Sequence, residues 1–577
     1  PAAPAYHAKT DGAWHATSYA AYAAEVRTAA RALVALGLGP KDTVCILGFN
    51  RPEWVVFDVA AMCVGAAPAG IYTTSSPAEV QYIVDHAESP VILLENAAQW
   101  AKVDKVRDQL PKLRHVVMMK GAVVNDPLVL SWEQFLAKAE GVPDAEIDRR
   151  VDALKLEDLA TLIYTSGTTG PPKAVMLSHD NLAWTAGTAV SFAKFTASDS
   201  SLSYLPLSHI AEQMFSIHAP ITAGSSVWFA ESMEKVPENL KEVQPTVVFA
   251  VPRIWEKFHA GLSVRLGEAT GVKAKLVAWA TETGRAYNAA KHAGKDPGGW
   301  LGFQHQVAHK LIYSKVKPLI GLGRARICIS GAAPVAKEVI SFLSGLDIVV
   351  HEVYGQSEGS GPTTFNLPDG GTLLGSVGKP IPGCEVKLAE DGEICARGRN
   401  VFLGYYKDPA ATAETLQDGW LLSGDLGAWD ADGYLAIVGR KKEILITAGG
   451  KNIAPKNIEA ALKNHPLIGE AVVIGDRRAY LTALLQIDPD ALKRFGDANG
   501  IADVSADHAK VREELQKAVD ACNEQFARVE HVRKWRVLPR PLAIDTGELT
   551  PTLKIKRKKV YENFSSEIEA MYTGAAD

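Results

Sequence analysis

LATLIYTSGTTGPPK, residues 159–173, runs from a six-residue apolar stretch into nine residues of Thr, Ser, Gly and Pro that end on a single Lys. A short apolar run bounded by turn residues reads as a buried strand. In the loop that follows, small residues let backbone N–H groups approach an anion closely. Three Thr and one Ser offer hydroxyl donors, and Lys173 adds a positive charge. A buried strand opening into such a loop, with a helix starting near Ser178, is an α/β arrangement that places a polyphosphate at the strand's end. The register is not GxxxxGK[ST], because Pro172 precedes Lys173 and Ala174 follows it. A kinase-like phosphotransferase built on that motif therefore loses its support.

The same rhythm spreads outward from this loop. Residues 16 to 150 alternate helical stretches such as YAAYAAEVRTAARALVALG with the apolar runs DTVCILG, SPVILLEN and RHVVMM, a pattern that predicts a sheet covered by helices. Between 240 and 360, PTVVFAVP, RARICISG and DIVVHEVYG each read as a buried strand entering a polar or glycine-rich turn. A helical segment from about Trp255 to Ile320 lies among them, and its KHAGKDPGG break predicts two helices. After Gly371 the texture becomes hairpin-rich, with DADG at 430–433 as turn chemistry. From about Lys442 a smaller unit follows, with NIEAALKNHP as a helix, GEAVVIGDRRAYLTALLQID as a hairpin, and two further helices. The boundary falls near Gly439 to Lys442.

Composition bounds the rest. A chain of 577 residues with 47% hydrophobic and 22% charged residues has the balance of a multi-domain α/β protein. A net charge of -5 argues against a broad nucleic-acid-binding surface. Six scattered Cys, without a CxxC pair or His spacing, suggest reduced thiols rather than disulfides or a zinc site. The chain opens without a basic segment leading into an apolar core, and no apolar run approaches the roughly 20 residues of a membrane span. The expectation is a cytoplasmic enzyme, monomer or homodimer, with peripheral contact at a membrane left open.

The loop TSGTTGPPK resembles the phosphate loop of the adenylate-forming superfamily, which includes acyl-CoA synthetases, luciferases and peptide-synthetase adenylation domains. YLPLSHIAEQ, SGAAP, YGQSE, DGEICARG, WLLSGDLG, GRKKEILITAGGKNIAP and LTPTLKIKRK follow in that family's order across nearly the whole chain. The resemblance implies an α/β fold. A large N-terminal domain (1–440) of doubly wound mixed sheets with a β subdomain would bind ATP and the acid, and a small mobile α+β domain (441–577) would follow.

Carried over residue by residue, the resemblance gives Thr165 and Glu358 to Mg2+, and Ser166, Gly167, Thr168, Thr169, Gly170 and Lys173 to the phosphates. Hard oxygen ligands suit that metal, which keeps few protein groups when phosphates supply the others. Gly331, Ala332, Ala333 and Tyr354 would form the adenine pocket, with Gly355, Gln356 and Ile437 in the nucleotide site and Ser357 at the α-phosphate. Asp425 and Arg440 would hold the ribose. Lys554 would face the transferring phosphate and carboxylate, and His209 the acyl carboxylate. Lys442 would be the hinge, with Gly449 and Gly450 beside the pantetheine of coenzyme A.

Three positions depart from the pattern. Ala174 stands where Gly is usual, Leu553 replaces a Gly before Lys554, and Gln213 stands where some relatives carry an aromatic gate. VPRIWEK with its helical insertion, HIAEQ and YGQSEGSGPTTFN look like bubblegum-type long-chain fatty acyl-CoA synthetases. The implied reaction uses fatty acid, ATP and coenzyme A. Loading of an acyl carrier protein and a nucleotide- or acyl-binding sensor without turnover are the alternatives.

Overall fold

The apolar runs that alternate with helices before residue 165 lie side by side in one sheet. The computed structural model describes residues 1–165, 171–367, 371–448, 451–550 and 554–573. Strands Thr43–Leu47, Ala67–Ile71, Val91–Leu94, His115–Met118 and Leu159–Thr165 run parallel in an eight-stranded sheet. Every residue of Thr43–Leu47 and Val91–Leu94 is buried, as a sheet covered on both faces requires. Lys173–Ser178 returns antiparallel to Leu159–Thr165, and Gly404–Tyr405 adds to its far side. On one face, helix Tyr19–Ala35 begins where the Ser18 side chain accepts from the Ala21 amide, a standard N-cap. It packs Val26, Ala29 and Leu33 with Trp54 and Phe57 of helix Pro52–Cys63.

A second sheet holds Val247–Ala250, Ile327–Ser330 and Val350–Gln356 in parallel, extended by antiparallel Gly361–Phe365 and Lys379–Pro380. A four-stranded sheet joins Pro4–Thr10 and Ala13–Ser18 to Ser200–Ser203 and Ser226–Phe229. Hairpins Glu385–Leu388 with Glu393–Arg397, and Trp420–Trp429 with Leu435–Arg440, build a further sheet. The predicted DADG turn closes the second hairpin, where Asp430 Oδ1 accepts from the amides of Asp432 and Tyr434. Beyond it, Ile468–Ile474, Leu481–Ile487 and Val532–Val537 form a three-stranded sheet with its own apolar cluster around Ile458, Leu485 and Leu515.

Two readings of the sequence need correction. The helical segment starts at Pro252 and breaks twice, giving Pro252–Gly267, Gly271–His292 and Gly299–Ala308. The extra break falls where Thr270 is extended and Gly271 takes φ 58°, a conformation that suits Gly. After the Leu481–Ile487 strand the chain forms four helices rather than two, Pro489–Asn499, Ala509–Asn523, Arg557–Asn563 and Ser565–Tyr572, together with the third strand.

All six thiols are unpaired, and all but Cys63 are fully buried. Burial pushes Cys45 and Cys328 up to about 12, and Cys384 and Cys522 up to about 11.

Candidate active site

Strand Val350–Gln356 ends on the sequence YGQ, and its local geometry dictates where the site forms. The register with Gly361–Phe365 shifts between Tyr354 and Gly355. A Cβ on Gly355 would stand 1.7 Å from the Gly361 carbonyl oxygen, so only Gly permits this approach of two backbones. The strand then turns through Ser357–Gly359, holding Glu358, whose carbonyl accepts from the Phe402 amide at 2.9 Å.

Around this strand end the structure gathers residues from distant parts of the chain. The Tyr354 hydroxyl donates to Asp425 Oδ2 at 2.9 Å. Asp425 faces Arg440 across the Trp420–Trp429 and Leu435–Arg440 ladder, with 3.6 Å between Oδ1 and Nε. Burial raises the Asp425 carboxyl above the usual carboxylate range, and the Arg440 charge opposes that rise. Burial also lifts the Tyr354 phenol, and the Asp425 charge adds to it. On the other side of the strand end, the Tyr405 hydroxyl donates to Glu358 Oε1 at 2.8 Å. The Lys173 ammonium sits 4.8 Å from the centre of the Tyr405 ring, within cation–π range.

Lys554 enters this cleft from the C-terminal segment. Its side chain is solvent-exposed in the cleft, and the protein packed around it partly desolvates its charge. That desolvation lowers its pKa. Arg440 and Lys456 lower it further, while Asp425 and Glu358 oppose them. Its backbone is held by a reciprocal pair, the Thr550 amide donating to the Lys554 carbonyl at 2.8 Å and the Lys554 amide to Thr550 Oγ1 at 3.0 Å. His209 lies within reach of the same charge. Burial first and Lys554 second push the imidazole down to about 4, and its Nδ1 accepts from the Ala211 amide.

The remaining sequence-predicted residues divide clearly. Thr165 ends its strand opposite Lys173, its hydroxyl donating to the Lys173 carbonyl at 3.4 Å. Gly331 is buried, with Val353 Cγ1 2.6 Å from where a Cβ would stand. Ala332 and Ala333 are exposed, and Ala332 takes φ 69°. Gln356 pairs with Gly361, Ser357 is buried, and Ile437 is half-buried opposite Gly427. Lys442 is exposed and lines a surface cavity with Glu443, Asp476, Arg557 and Tyr561. Ser166, Gly167, Thr168, Thr169, Gly170, Gly449, Gly450 and Leu553 lie outside the described residues.

Ala174 sits inside the extended strand Lys173–Ser178, outside the left-handed region, so its methyl meets no demand for positive φ. Gln213 is buried and donates to the Leu207 carbonyl at 3.0 Å.

Sequence reasoning missed Tyr405 and Lys456. Tyr405 lies in GYYKDP, downstream of DGEICARG, and only the short antiparallel pairing with Lys173–Ser178 brings it to Glu358. Lys456 directly follows GGKNIAP and pairs with Glu443 at 2.9 Å. Tyr405→Phe keeps the ring under Lys173 but removes the donor on Glu358. A bond to a charged group contributes about 1.5–3 kcal/mol, so the variant should unfold at a temperature about 1–3 degrees lower.

His209 and His218 are both held near 4, chiefly by burial. Between 4 and the ordinary 6.5 the unfolded chain binds more protons than the folded one. The stability that these two neutral imidazoles contribute is therefore complete above 6.5 and lost as pH falls toward 4. Asp58, Glu212 and Glu352, pushed up to about 8 by burial, act with the opposite sign. The testable quantity is accordingly a difference. The melting-temperature gap between the parent and a His209→Asn/His218→Asn variant should narrow on acidification.

The profile of the AMP-binding enzyme family matches residues 1–406, and that of the AMP-binding enzyme C-terminal domain matches 442–576. The chain belongs to this adenylate-forming, AMP-binding enzyme family. Within it, the chain is 37% identical to the long-chain-fatty-acid–CoA ligase ACSBG2 of Xenopus laevis, over 97% of this chain and 80% of the relative. It is also 37% identical to the long-chain-fatty-acid–CoA ligase FadD15 of Mycobacterium bovis, over 98% and 94%. The fold matches the adenylation domain of a carboxylate reductase from Mycobacterium chelonae with a TM-score of 0.77 and 21% identity, covering 99% of this chain and 89% of that one.

Proposed function

We propose that this chain activates a long-chain fatty acid with ATP and transfers the acyl group to coenzyme A. The observation that carries this reading is the near full-length 37% identity to relatives named long-chain-fatty-acid–CoA ligases. The convergence of Lys554, Asp425, Glu358 and His209 on one cleft supports it. In the first step a carboxylate oxygen attacks the α-phosphorus, a new P–O bond forms, and the bond to the β-phosphate breaks to release pyrophosphate. In the second step the thiol sulfur of coenzyme A attacks the acyl carbonyl, and the C–O bond to AMP breaks.

Each residue has work suited to its surroundings. Lys554 presents a cation to the charge that builds on phosphorus and on the departing oxygens. Asp425 accepts from ribose hydroxyls, with Arg440 and Tyr354 fixing its carboxylate. Lys173 and the loop from Ser166 to Gly170 hold the phosphates. Gly331, Ala332, Ala333, Tyr354, Gly355, Gln356, Ser357 and Ile437 complete the nucleotide site. His209, kept neutral, orients the acid by a hydrogen bond. The donor set suits a magnesium ion delivered with ATP. No group of three or more His, Cys, Asp or Glu among the described residues could cage a metal by itself, whereas Glu358 and Thr165 offer the one or two hard oxygens such an ion takes from protein. When bound, the ion would neutralise charge on the phosphates.

We divide the chain into domains 1–440 and 441–577, with Lys442 as the hinge and Gly449 and Gly450 beside the pantetheine arm. Among the described residues no helix is long and apolar enough to cross a membrane, and a cytoplasmic setting fits the reduced thiols. Incubation with magnesium ATP and palmitate, with and without coenzyme A, tests the reading. AMP, pyrophosphate and palmitoyl-CoA are expected together. ADP would overturn the chemistry, and pyrophosphate without a thioester would redirect the acceptor to a carrier protein.

A further inference from the structure

Helix Gly299–Ala308 presents two different faces. Inward, the His305 ring stacks at 3.7 Å on Tyr287 of helix Gly271–His292, and Ala308 packs with Ala280 and Tyr313. Outward, Trp300, Phe303, Gln306 and Lys310 follow at intervals of three or four residues, and all four are exposed. Trp300 is 70% exposed and Phe303 55%, and their rings stack at 5.5 Å. Every other Trp and Phe in the chain is buried or half-buried. An exposed aromatic pair on a solvent-facing side of a helix calls for a partner.

Charge indicates what that partner is. The whole chain carries -5, yet residues 252–320 hold eleven Lys or Arg against four Asp or Glu. Lys291 and Lys295 precede the helix across its turn, and Lys310 and Lys315 follow it, all exposed. None of these four has a carboxylate partner within ion-pair distance among the described residues. Asp296, which accepts from the Gly298 amide, is the single acid in the turn.

We infer that this face, with Trp300 and Phe303 at its centre, docks the protein on a bilayer surface carrying anionic headgroups. Trp and Phe seat at the boundary between headgroups and acyl chains, and flanking lysines meet the lipid charge. The inference rests in part on the proposed substrate, because a long-chain acid partitions into bilayers and would be collected there. The docking surface lies on the helical insertion and uses none of the residues assigned to the cleft that holds Lys554.

Flotation of the full chain with phosphatidylcholine vesicles, with and without phosphatidylglycerol, tests this directly and needs no turnover. Failure of the ligase reading therefore leaves its outcome untouched. Binding is expected only with the anionic lipid and should weaken at high salt. Trp300→Ala/Phe303→Ala and, separately, Lys291→Glu/Lys295→Glu should each weaken it about tenfold or more, with unfolding temperature unchanged. Equal binding to neutral vesicles, no flotation at low salt, or full binding by the Trp300/Phe303 variant would overturn the proposal. So would sedimentation showing that the same variant splits an oligomer, which would make this face a contact between copies.

Discussion

Lys554→Ala is expected to slow formation of acyl-adenylate by about 10²- to 10³-fold, the scale of removing a preorganised charge from a transition state. It should leave thioester formation from supplied acyl-adenylate largely intact. The argument rests on where the ammonium sits. Desolvation by the surrounding protein comes first among the influences that lower its pKa, Arg440 and Lys456 repel it, and Asp425 and Glu358 attract it. Such a cation, exposed in the cleft and held among charges of both signs, is accessible to an incoming anion. Single-turnover assays of each half-reaction separate the two effects. Equal loss in both would remove Lys554 from its assigned role.

Gly355→Ala should be the more damaging change, and of a different kind. The added Cβ would stand 1.7 Å from the Gly361 carbonyl oxygen, and the Gly361 carbon and Pro362 Cα also lie within 3.0 Å of it. These are backbone atoms of the paired strand, which cannot rotate aside as a side chain would. Overpacking of this type costs about 1–3 kcal/mol, occasionally more, and here it would also separate Tyr354 from Asp425 and displace Glu358. Both half-reactions should fall together, with a lower unfolding temperature. Normal stability with loss of adenylation alone would contradict this account.

Much of this architecture was legible in the residues. The strands at 43–47, 91–94, 115–118, 247–250 and 327–330 are short apolar runs bounded by turn residues, the first three in the eight-stranded sheet and the last two in the second sheet. Asp425 and Arg440 were named from the family resemblance, and the hairpin closed by DADG places them opposite each other. Tyr405 was not, since its contact with Glu358 depends on a two-residue strand pairing more than two hundred positions back along the chain. Strand Val532–Val537 was missed because VRKWRV carries three charges and no regular alternation of apolar and polar residues. The break at Thr270 escaped notice because periodic apolar positions continue on both sides of it. Local backbone geometry, unlike periodicity, leaves a faint mark in residue identities.

The cysteines acquire a meaning beyond redox state. An acyl-adenylate is a mixed anhydride, and any thiolate near it competes with coenzyme A for the acyl group. Burial pushes four of the six thiols up to about 11 or 12 and raises Cys63 and Cys395 as well. At neutral pH almost none of them is ionised. An enzyme that generates its own acylating agent thereby keeps its own cysteines as poor competitors for the acyl group.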